Sequence, residues 1–210
     1  MSRRAETRQR REGEILAAAA AIIAARGFHQ TRLEDVGSAV GISGPALYRY
    51  FSSKEELLAQ ILIDISVRLV DGARAVLEVS RREQWEPRHT LRQLLQHHVQ
   101  FAITEPDRIR IQESEGDNLD SRQRAKVRSL QRLYLTMWMD VLRAEYPELS
   151  ADQAQMKVQM AAGLINSSRH VLKWAGPEAT ARGAFDMALA ALGVETQDTS
   201  VTEDVEFIHS

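Results

Sequence analysis

Apolar side chains recur at spacings of three and four residues along most of the chain, which is the period of an α-helix. The clearest run begins near Lys54, where Leu58, Ile61, Leu62 and Ile65 fall on one helical face. No run alternates apolar and polar residues in the manner of a half-buried strand, and no Asn-Gly pair marks a hairpin. The pattern therefore predicts an all-α protein.

Helix breakers divide this pattern into about nine helices. Three helices fit before residue 54, and proline or glycine separates six more in the rest of the chain. Pro106, Pro147 and Gly176 mark clear boundaries, because the residue before proline disfavours helix and glycine favours a left-handed helix end. The six later helices are predicted to cover residues 54–81, 87–104, 107–115, 121–145, 151–175 and 177–192.

One stretch near the N-terminus has the pattern of two short helices joined by a tight turn and followed directly by a third helix. Thr31 and Glu34 have the spacing of a capping box, in which the hydroxyl accepts from the third helical N–H and the carboxylate returns to the cap. Ser53 and Glu56 repeat that spacing at the start of the next helix. Gly41 stands between them, where the first short helix must end. This arrangement is typical of a helix-turn-helix.

The second short helix has a surface suited to a DNA groove. Its small residues let the backbone approach the duplex, Arg49 has the donors that recognise a guanine edge, and tyrosine hydroxyls suit phosphates. The alternative is a purely structural helix pair whose tyrosines cover apolar surface. The predicted DNA-contacting residues are Thr31, Arg32, Ser43, Gly44, Pro45, Ala46, Tyr48, Arg49, Tyr50 and Lys54.

The same stretch resembles the DNA-binding domain of the TetR family of bacterial repressors. The resemblance covers residues 10–58 and rests on the runs Gly27-Phe28-x-x-Thr31, Leu33-x-Asp35-Val36 and Val40-Gly41-Ile42-Ser43-x-Pro45-x-Leu47-Tyr48-x-Tyr50-Phe51-x-Ser53-Lys54-Glu55-x-Leu57. Gly37, where the family usually has alanine, and Tyr50, where it often has histidine, are mild departures. The resemblance implies a helical DNA-binding domain, a larger helical domain that binds ligand and dimerises, and release from operator DNA when ligand binds.

The resemblance and the helix pattern together divide the 210-residue chain into three parts. Residues 1–56 are expected to form an N-terminal arm and the DNA-binding domain. Residues 57–194 are expected to form the effector-binding and dimerisation domain. Residues 195–210 contain five acidic and no basic residues and lack a helical pattern, so we expect a disordered acidic tail.

Charge is distributed unevenly along the chain, whose net charge is −2. Residues 1–56 contain nine basic and seven acidic residues, whereas the remainder contains 18 basic and 22 acidic residues. Five arginines precede the apolar part of the first helix, either as an arm that contacts phosphates or the minor groove, or as a solvated terminus. These residues are Arg3, Arg4, Arg8, Arg10 and Arg11.

The chain contains no cysteine, which excludes disulfides and thiolate chemistry. No apolar run reaches the ~18 residues that a membrane span requires. The alanine-rich segment 15–25 follows basic residues as a signal peptide would, but Glu12 and Glu14 interrupt it and a helix-turn-helix follows. We therefore expect a cytoplasmic protein that does not bind membranes.

The last two predicted helices are rich in small side chains, which allow helices to approach closely. They carry Ala161, Ala162, Gly163, Ser167 and Ser168, and Ala181, Gly183, Ala184, Ala188, Ala190 and Ala191. Two copies of the chain could form a four-helix interface here, as the resemblance also implies, and close packing within one chain is the alternative. A homodimer would hold two recognition helices about one DNA turn apart, matching a near-palindromic operator.

The resemblance implies that the ligand pocket lies among the helices of the second domain. An apolar cavity with a few directed polar groups suits a small hydrophobic effector, and the lack of an acidic cluster for cationic drugs favours a lipid-like molecule or an acyl thioester. Core packing is the alternative role for the apolar candidates. The tentative pocket residues are Phe101, Ile109, Glu113, Trp138, Met160, Leu164, Asn166, Ser167 and His170, with Ile111 and Val141 as further apolar candidates.

Other functions find less support in the sequence. His89, His97 and His98 lie near one helix, but no pair has the i, i+4 spacing that would favour a metal site. No phosphate-binding loop, dinucleotide fingerprint, zinc-protease motif or nucleophile elbow is present, so we predict no enzyme and no cofactor. The alternatives are a metal-responsive regulator and an effector-independent DNA-binding protein, although the latter would be expected to be more basic.

Overall fold

The computed structural model describes residues 3–194, which form ten α-helices, two 3₁₀-helices and no strand. This confirms the all-α prediction, while the predicted acidic tail lies outside the described residues. The α-helices are α1 (Arg3–Arg26), α2 (Leu33–Ala39), α3 (Gly44–Leu47), α4 (Lys54–Glu83), α5 (Pro87–Thr104), α6 (Pro106–Ser114), α7 (Ser121–Glu145), α8 (Ala151–Ser167), α9 (Leu172–Ala175) and α10 (Pro177–Leu192), and the 3₁₀-helices are η1 (Gly116–Asn118) and η2 (Ser168–His170).

The first helix packs its apolar face into the small N-terminal domain. Ile15, Ala19 and Ile23 are four residues apart and fully or almost fully buried, as the helical period requires. The helix begins at Arg3, so the arginines that were expected to precede the first helix lie within it, and their contact with DNA stays a prediction. Pairs of arginine and glutamate one helical turn apart stabilise this early start, because oppositely charged side chains at that spacing are neighbours on a helix surface.

The longest helix, α4, connects the two domains. Its 30 residues give a length of about 45 Å, and its first turn belongs to the DNA-binding domain while its last turns pack in the second. Leu58, Ile61, Leu62 and Ile65 are buried on one face, as predicted. Gln84 ends the helix in the left-handed region with φ 53°. One continuous helix is therefore shared by the two domains.

The second domain is a bundle in which α7 packs against α4, α5 and α8, while α10 packs against α5 and α8. Trp138 of α7 is fully buried among these helices. No helix within residues 3–194 combines the length and the apolarity needed to cross a bilayer.

A single helix over residues 151–175 was predicted, and that prediction is wrong. Helix α8 ends at Ser167, and η2 and α9 follow before Gly176 turns the chain with φ 79°. The Ser167 hydroxyl donates to Leu164 O at 2.6 Å beside the break. The break also buries Ser168 in the domain interior.

Helix α6 lies at the junction of the two domains. It packs against α1 of the DNA-binding domain as well as against α4 and α5. Ile109 and Ile111 are fully buried there, which fixes α6 between both domains. The short helix therefore contacts the N-terminal domain and the second domain at once.

Candidate nucleic-acid interface and effector site

The turn between α2 and α3 brings two backbone segments into close contact. Gly41 has φ 69°, the left-handed conformation expected of a helix-ending glycine. Ile42 N donates to Gly37 O at 2.9 Å, and a Cβ at Gly37 would lie only 2.9 Å from Ile42 O. Glycine at position 37 therefore allows this close approach of the two backbone segments. An alanine at this position would fit only if the backbone shifted.

Serine caps position the start of α3 and of α4. Ser43 Oγ accepts from Ala46 N at 3.4 Å, and Ser53 Oγ accepts from Glu56 N at 3.0 Å. The return half of the second capping box differs from prediction, because Glu56 accepts from the hydroxyl and the backbone N–H of Ser52 instead. Both bonds hold the pKa of Glu56 below its usual value, and the bond from the Ser52 hydroxyl has the larger effect.

The predicted role of Thr31 as a helix cap is wrong. Arg32 occupies the cap position of α2, and no side chain caps that helix. The Thr31 hydroxyl donates to Gly27 O at 2.9 Å, and the residue is only 2% exposed. The structure therefore places Thr31 beneath the surface, where its hydroxyl braces the loop after α1 and does not face a DNA backbone.

The other predicted recognition residues surround an outward-facing turn. Tyr48 is 50% exposed and Arg49 is also exposed, while Leu47 on the opposite side is fully buried. Tyr50 is half-buried, and the guanidinium of Arg8 lies 5.6 Å from its ring centroid. The tyrosine pair is therefore divided, with one ring reaching solvent and one packed partly on the domain.

Lys54 lies at the first turn of α4, beside the recognition turn. Its ammonium is 4.4 Å from the Phe28 ring centroid and 3.4 Å from His29 O. Together with Arg32 and Tyr48 it lines an open depression next to α2. Glu34 and Glu55 also line the depression, so its charges balance. The N-terminus of α4 and the ammonium of Lys54 are the groups there that attract an anion.

The arginines of α1 have partners within the chain. Arg8 is 2.8 Å from Glu12, and Arg11 is 2.5 Å from Glu14. Arg11 also donates at 2.6 Å to the carbonyl oxygen of Val40, the residue that follows the last turn of α2. Arg11 therefore ties α1 to the helix-turn-helix.

A buried group of aromatic and polar side chains occupies the interior of the second domain. We call His98 of α5, Tyr134 and Trp138 of α7, and Asn166 of α8 the His98 cluster. His98 Nε2 is 3.1 Å from Asn166 Oδ1. The three ring centroids are 5.5–5.8 Å apart in edge-to-face arrangements, which are favourable for aromatic rings.

Polar atoms in and beside this cluster have no hydrogen-bond partner within residues 3–194. They are His98 Nδ1 and, nearby in sequence, Ser168 Oγ. Tyr134 Oη and Trp138 Nε1 make no well-aligned hydrogen bond, but the indole lies close enough to the hydroxyl to oppose the rise in its pKa. Burial lowers the pKa of His98 to about 4, against the opposing hydrogen bond from Asn166, so the ring is neutral at pH 7. Burial also raises the pKa of Tyr134, whose hydroxyl stays protonated. The cluster is therefore uncharged and only partly satisfied.

The structure brings some of the tentative pocket residues together and separates others. Trp138 and Asn166 belong to the His98 cluster, while Phe101 and Ile109 are buried and Leu164 packs partly on the same core. The remaining four were expected to line a buried pocket, but they are exposed or, in one case, paired with a residue outside it. Met160 is 65% exposed, Ser167 and His170 are exposed, and Glu113 accepts from Arg169 Nε at 2.7 Å.

Sequence reasoning missed His98 and Tyr134 as candidate ligand contacts. The helical spacing of both residues indicated that they face the core. His98 is seven residues after Leu91 and four after Leu94, and Tyr134 is four residues before Trp138. His97, its neighbour, points elsewhere, since its Nε2 would lie 1.9 Å from a Cβ at Gly72.

An ion-pair network, which we call the α6 clasp, joins α6 to α4 and α5. Arg108 of α6 contacts Asp64 of α4 and Glu105 at 2.5 Å each, and Glu105 also pairs with Arg68 of α4. The Arg108 side chain is 8% exposed, so solvent screens these pairs less than pairs at the surface. The clasp fixes α6 to the helix that enters the DNA-binding domain.

The outer faces of α8 and α10 expose large apolar side chains. Met156 and Met160 of α8 are 56% and 65% exposed, and Met187 of α10 is 57% exposed. Several of the small residues predicted to face a second copy, among them Ala161 and Ala188, are instead fully buried within one chain. The small residues thus bring α8 and α10 together, and the methionines form their free surface.

Comparisons with solved structures support the fold. A TetR-family regulator from Bordetella parapertussis has a TM-score of 0.73 and 26% identity, covering 85% of this chain and 93% of that one. FadR of Bacillus subtilis, solved with stearoyl-CoA, has a TM-score of 0.66 and 18% identity over 85% of this chain and 96% of FadR, which shows a shared fold.

Curated relatives are transcriptional regulators. KstR2 of Rhodococcus jostii, a repressor, is 26% identical over 169 residues, 80% of each chain. FasR of Mycolicibacterium smegmatis, an activator, is 36% identical over 73 residues, which are 35% of this chain and 33% of FasR. This chain therefore spans about a third of FasR's length in that match.

The N-terminal domain and the second domain each match the model of a known protein family. Residues 15–61 match the bacterial regulatory proteins of the tetR family, and residues 84–192 match the tetracyclin repressor-like C-terminal domain. Since the second match alone spans more than half of the chain, this protein belongs to the TetR family of bacterial transcriptional regulators.

Proposed function

We propose that this chain is a homodimeric repressor that releases a near-palindromic operator when a small hydrophobic effector enters its second domain. The part of the proposal that concerns the effector rests on the His98 cluster, where buried polar atoms without partners lie inside an apolar bundle. Native proteins leave few such groups unsatisfied, so their concentration at one point favours a ligand there. Acting on the chromosome, the repressor is expected to be cytoplasmic.

The DNA contacts are assigned by exposure. Arg49 reads a base edge and Ala46 approaches it, while Tyr48 and Lys54 hold phosphates on either side. The support for this division is that Arg49 and Tyr48 reach solvent and that Lys54 lies at a helix N-terminus. Phosphate contacts set the register of the turn on the duplex, and Arg49 supplies the sequence preference.

The dimer forms through α8 and α10. Exposed Met156, Met160 and Met187 support this choice, because apolar surface concentrated on adjacent helices favours association. In such a dimer both recognition turns face one side of the DNA at a fixed separation, which the operator half-sites must match.

Effector binding changes that separation through α6. The helix packs on α1 and is fixed to α4 by the clasp, so a displacement near the cluster moves the DNA-binding domain. A ligand that binds better to the conformation with the wrong separation shifts the population towards it and lowers operator affinity.

The proposed effector is lipid-like or an acyl thioester. The buried apolar surroundings of the cluster support this class. So do the names of related structures, since FadR was solved with stearoyl-CoA and KstR2 of Mycobacterium tuberculosis is described as a ketosteroid regulator.

Fluorescence anisotropy tests the proposal with DNA from upstream of the protein's own gene and with random DNA of equal length, at about 150 mM salt. A preference of about a thousandfold establishes a specific regulator, and lipid-like compounds are then screened for release. Equal binding to both DNAs across a wider operator selection contradicts the proposal. Transcription that rises with operator occupancy would make the protein an activator, as FasR is described.

A further inference from the structure

We propose that the acidic tail, residues 195–210, docks on a basic face of α7 of the same chain and shields that face from DNA. We call this face the α7 basic stripe. Its members are exposed side chains in the first half of the helix: Arg122, Lys126, Arg128 and Arg132. The contact requires neither an effector nor an operator, so a wrong repressor mechanism would leave it unaffected.

The α7 basic stripe has no anionic partner on the part of the chain that the structure describes. None of its side chains makes an ion pair or a hydrogen bond within residues 3–194. Residues 121–139 contain no Asp or Glu. The stripe consists of two pairs with one-turn spacing, Arg122 with Lys126 and Arg128 with Arg132. Like charges at that spacing destabilise a helix, and an anionic partner would remove the repulsion.

The acidic tail has the complementary charge. It contains five acidic residues and no Lys or Arg, and three of the acids stand close together, Glu203, Asp204 and Glu206. A single exposed ion pair contributes little to binding. The tail belongs to the same chain, however, so its effective concentration beside α7 is of the order of millimolar. Several weak pairs are then enough to hold it on the stripe.

The folded part of the chain starts the tail beside the end of α7. Tyr146, the residue after that helix, donates from its hydroxyl to Gly193 O at 2.7 Å. Along the helix axis, Arg132 lies about 21 Å from Tyr146 and Arg122 about 36 Å. An extended chain from Gly193 spans about 33–36 Å by Glu203, and the acids that follow reach further. The clustered acids of the tail can therefore reach the whole stripe.

Shielding limits the binding of α7 to DNA outside the operator. An uncovered face of unpaired cations attracts phosphates of any sequence, and that binding competes with the operator for the protein. Carboxylates of the tail take the place of those phosphates and repel the duplex. The tail would therefore favour the recognition turn as the surface that holds DNA.

Zero-length cross-linking of the full-length protein without DNA tests the contact. A carbodiimide couples a lysine to a carboxylate that touches it, and the chain has four lysines, Lys54, Lys126, Lys157 and Lys173. We expect the clustered acids to couple to Lys126 at least about fivefold more often than to Lys54 or Lys173 at about 50 mM salt, and this excess to vanish at about 500 mM as salt screens the pairs. Coupling to Lys54 or Lys173 that equals coupling to Lys126 overturns the proposal, as does the absence of coupling to Lys126.

Charge reversal on the stripe gives a matched comparison. Arg128→Glu with Arg132→Glu leaves Lys126 in place and is expected to lower its coupling by about tenfold. Arg74→Glu with Arg182→Glu changes the net charge equally at exposed arginines of α4 and α10 and should leave the coupling as in the wild type. If both double variants lose coupling equally, the stripe is not the docking surface.

Mixed isotopes identify the chain that supplies the tail. Protein grown in heavy and light nitrogen is mixed, allowed to exchange subunits and then cross-linked. Coupled peptides in which both halves have the same label are expected. Peptides that combine a heavy and a light half would place the tail of a second chain on the stripe, and the same-chain contact would be wrong.

Random DNA tests the shielding itself. Glu203→Gln, Asp204→Asn and Glu206→Gln together uncover the stripe, so affinity for random DNA should rise about fivefold and depend more steeply on salt. In a background that carries Lys126→Gln and Arg128→Gln, the same change in the tail should have little further effect. An equal rise in that background would be a general effect of net charge, and it would overturn the shielding role.

Discussion

Gly72 of α4 lies directly against His97 of α5. A Cβ at Gly72 would lie 1.9 Å from Nε2 and 2.3 Å from Cε1 of His97, so the imidazole lies directly against the α4 backbone. Burial, and secondarily Arg68, lowers the pKa of His97, which favours the neutral ring in this position. Glycine inside a helix lowers the stability of that helix. At position 72 its missing side chain leaves the space that the His97 ring occupies.

Gly72→Ala is therefore expected to destabilise the protein by about 1–3 kcal/mol, because the ring must rotate or α4 and α5 must separate. Chemical denaturation of the variant measures the change. Gly13→Ala is the control, because nothing lies within 4 Å of a Cβ there and the helix gains up to about 1 kcal/mol. Equal effects of the two substitutions would contradict the packing role of Gly72.

Burial of His98 makes stability depend on pH. Its pKa is about 4 in the folded protein and near 6.5 when unfolded, so between these values the unfolded chain binds the extra proton. The free energy of unfolding is expected to fall as pH drops from 6.5 to 4, by about 3 kcal/mol from this residue. His98→Gln removes this titrating group. The free energy of unfolding, measured by denaturation at each pH, should therefore fall by about 3 kcal/mol less in the variant than in the wild type across that range.

The recognition turn predicts two different losses of DNA affinity. Arg49→Ala is expected to cost about 1–3 kcal/mol at one base position and to relax specificity there. Lys54→Ala should weaken all sequences alike and reduce the slope of log affinity against log salt by about one. Anisotropy titrations on single-base operator variants distinguish these patterns, and a uniform loss in Arg49→Ala would show that Arg49 contacts only phosphate.

At the scale of elements, the sequence predicted most helices closely because their breakers are local. The helices over 87–104, 121–145 and 177–192 have the predicted ends, which glycine, proline or a capping residue sets. The break after Ser167 was missed because no proline or glycine marks it and because η2, which follows it, packs against α5, α6 and α10, which are distant in sequence or come later. Such interactions leave no periodic signal in one sequence.

The candidate sites were predictable to a similar degree. Exposure of Arg49 and Tyr48 followed from their position opposite buried Leu47, whereas Thr31 was misplaced because its hydroxyl bonds backwards to Gly27 O. His98 was missed because its significance arises from α7 and α8, which approach it only in the folded protein.

The α6 clasp leads to a prediction at the scale of one helix. Asp64→Asn removes the charge that faces Arg108 at 2.5 Å, which should weaken the attachment of α6 to α4 by about 1–2 kcal/mol. Hydrogen exchange should become about tenfold faster in α6 amides while α10 is unchanged. Glu83→Gln at the exposed pair with Arg82 is the control and should change neither. Unchanged exchange in α6 would remove the clasp from the coupling mechanism.

At the scale of the whole molecule, the proposed operator binding depends on two chains acting together. A monomer engages one half-site, whereas a dimer converts the second contact into an intramolecular event, which raises avidity by about 10²–10⁴. In the proposed dimer, the exposed methionines of α8 and α10 are the surface on which that advantage would depend.

Met160→Glu places a carboxylate on the most exposed of these methionines, 65% accessible in the single chain. In the dimer the charge would lose its hydration without gaining a partner, so we expect the dimer dissociation constant to rise by about a hundredfold. Sedimentation velocity measures the dissociation, and anisotropy measures the operator. Affinity for a full palindrome should fall by about 10² while affinity for a single half-site stays the same, since the recognition turn is untouched.

Leu133→Glu on α7, at a residue 38% exposed and outside α8 and α10, provides the control for an added surface charge. It should leave both the dimer and the operator affinity unchanged. If Leu133→Glu dissociates the protein and Met160→Glu does not, the interface lies on α7. Loss of half-site binding in Met160→Glu would instead indicate unfolding, which the helical circular dichroism signal separates from dissociation. Only the combination of a folded monomer, normal half-site binding and lost palindrome binding supports the proposed dimer.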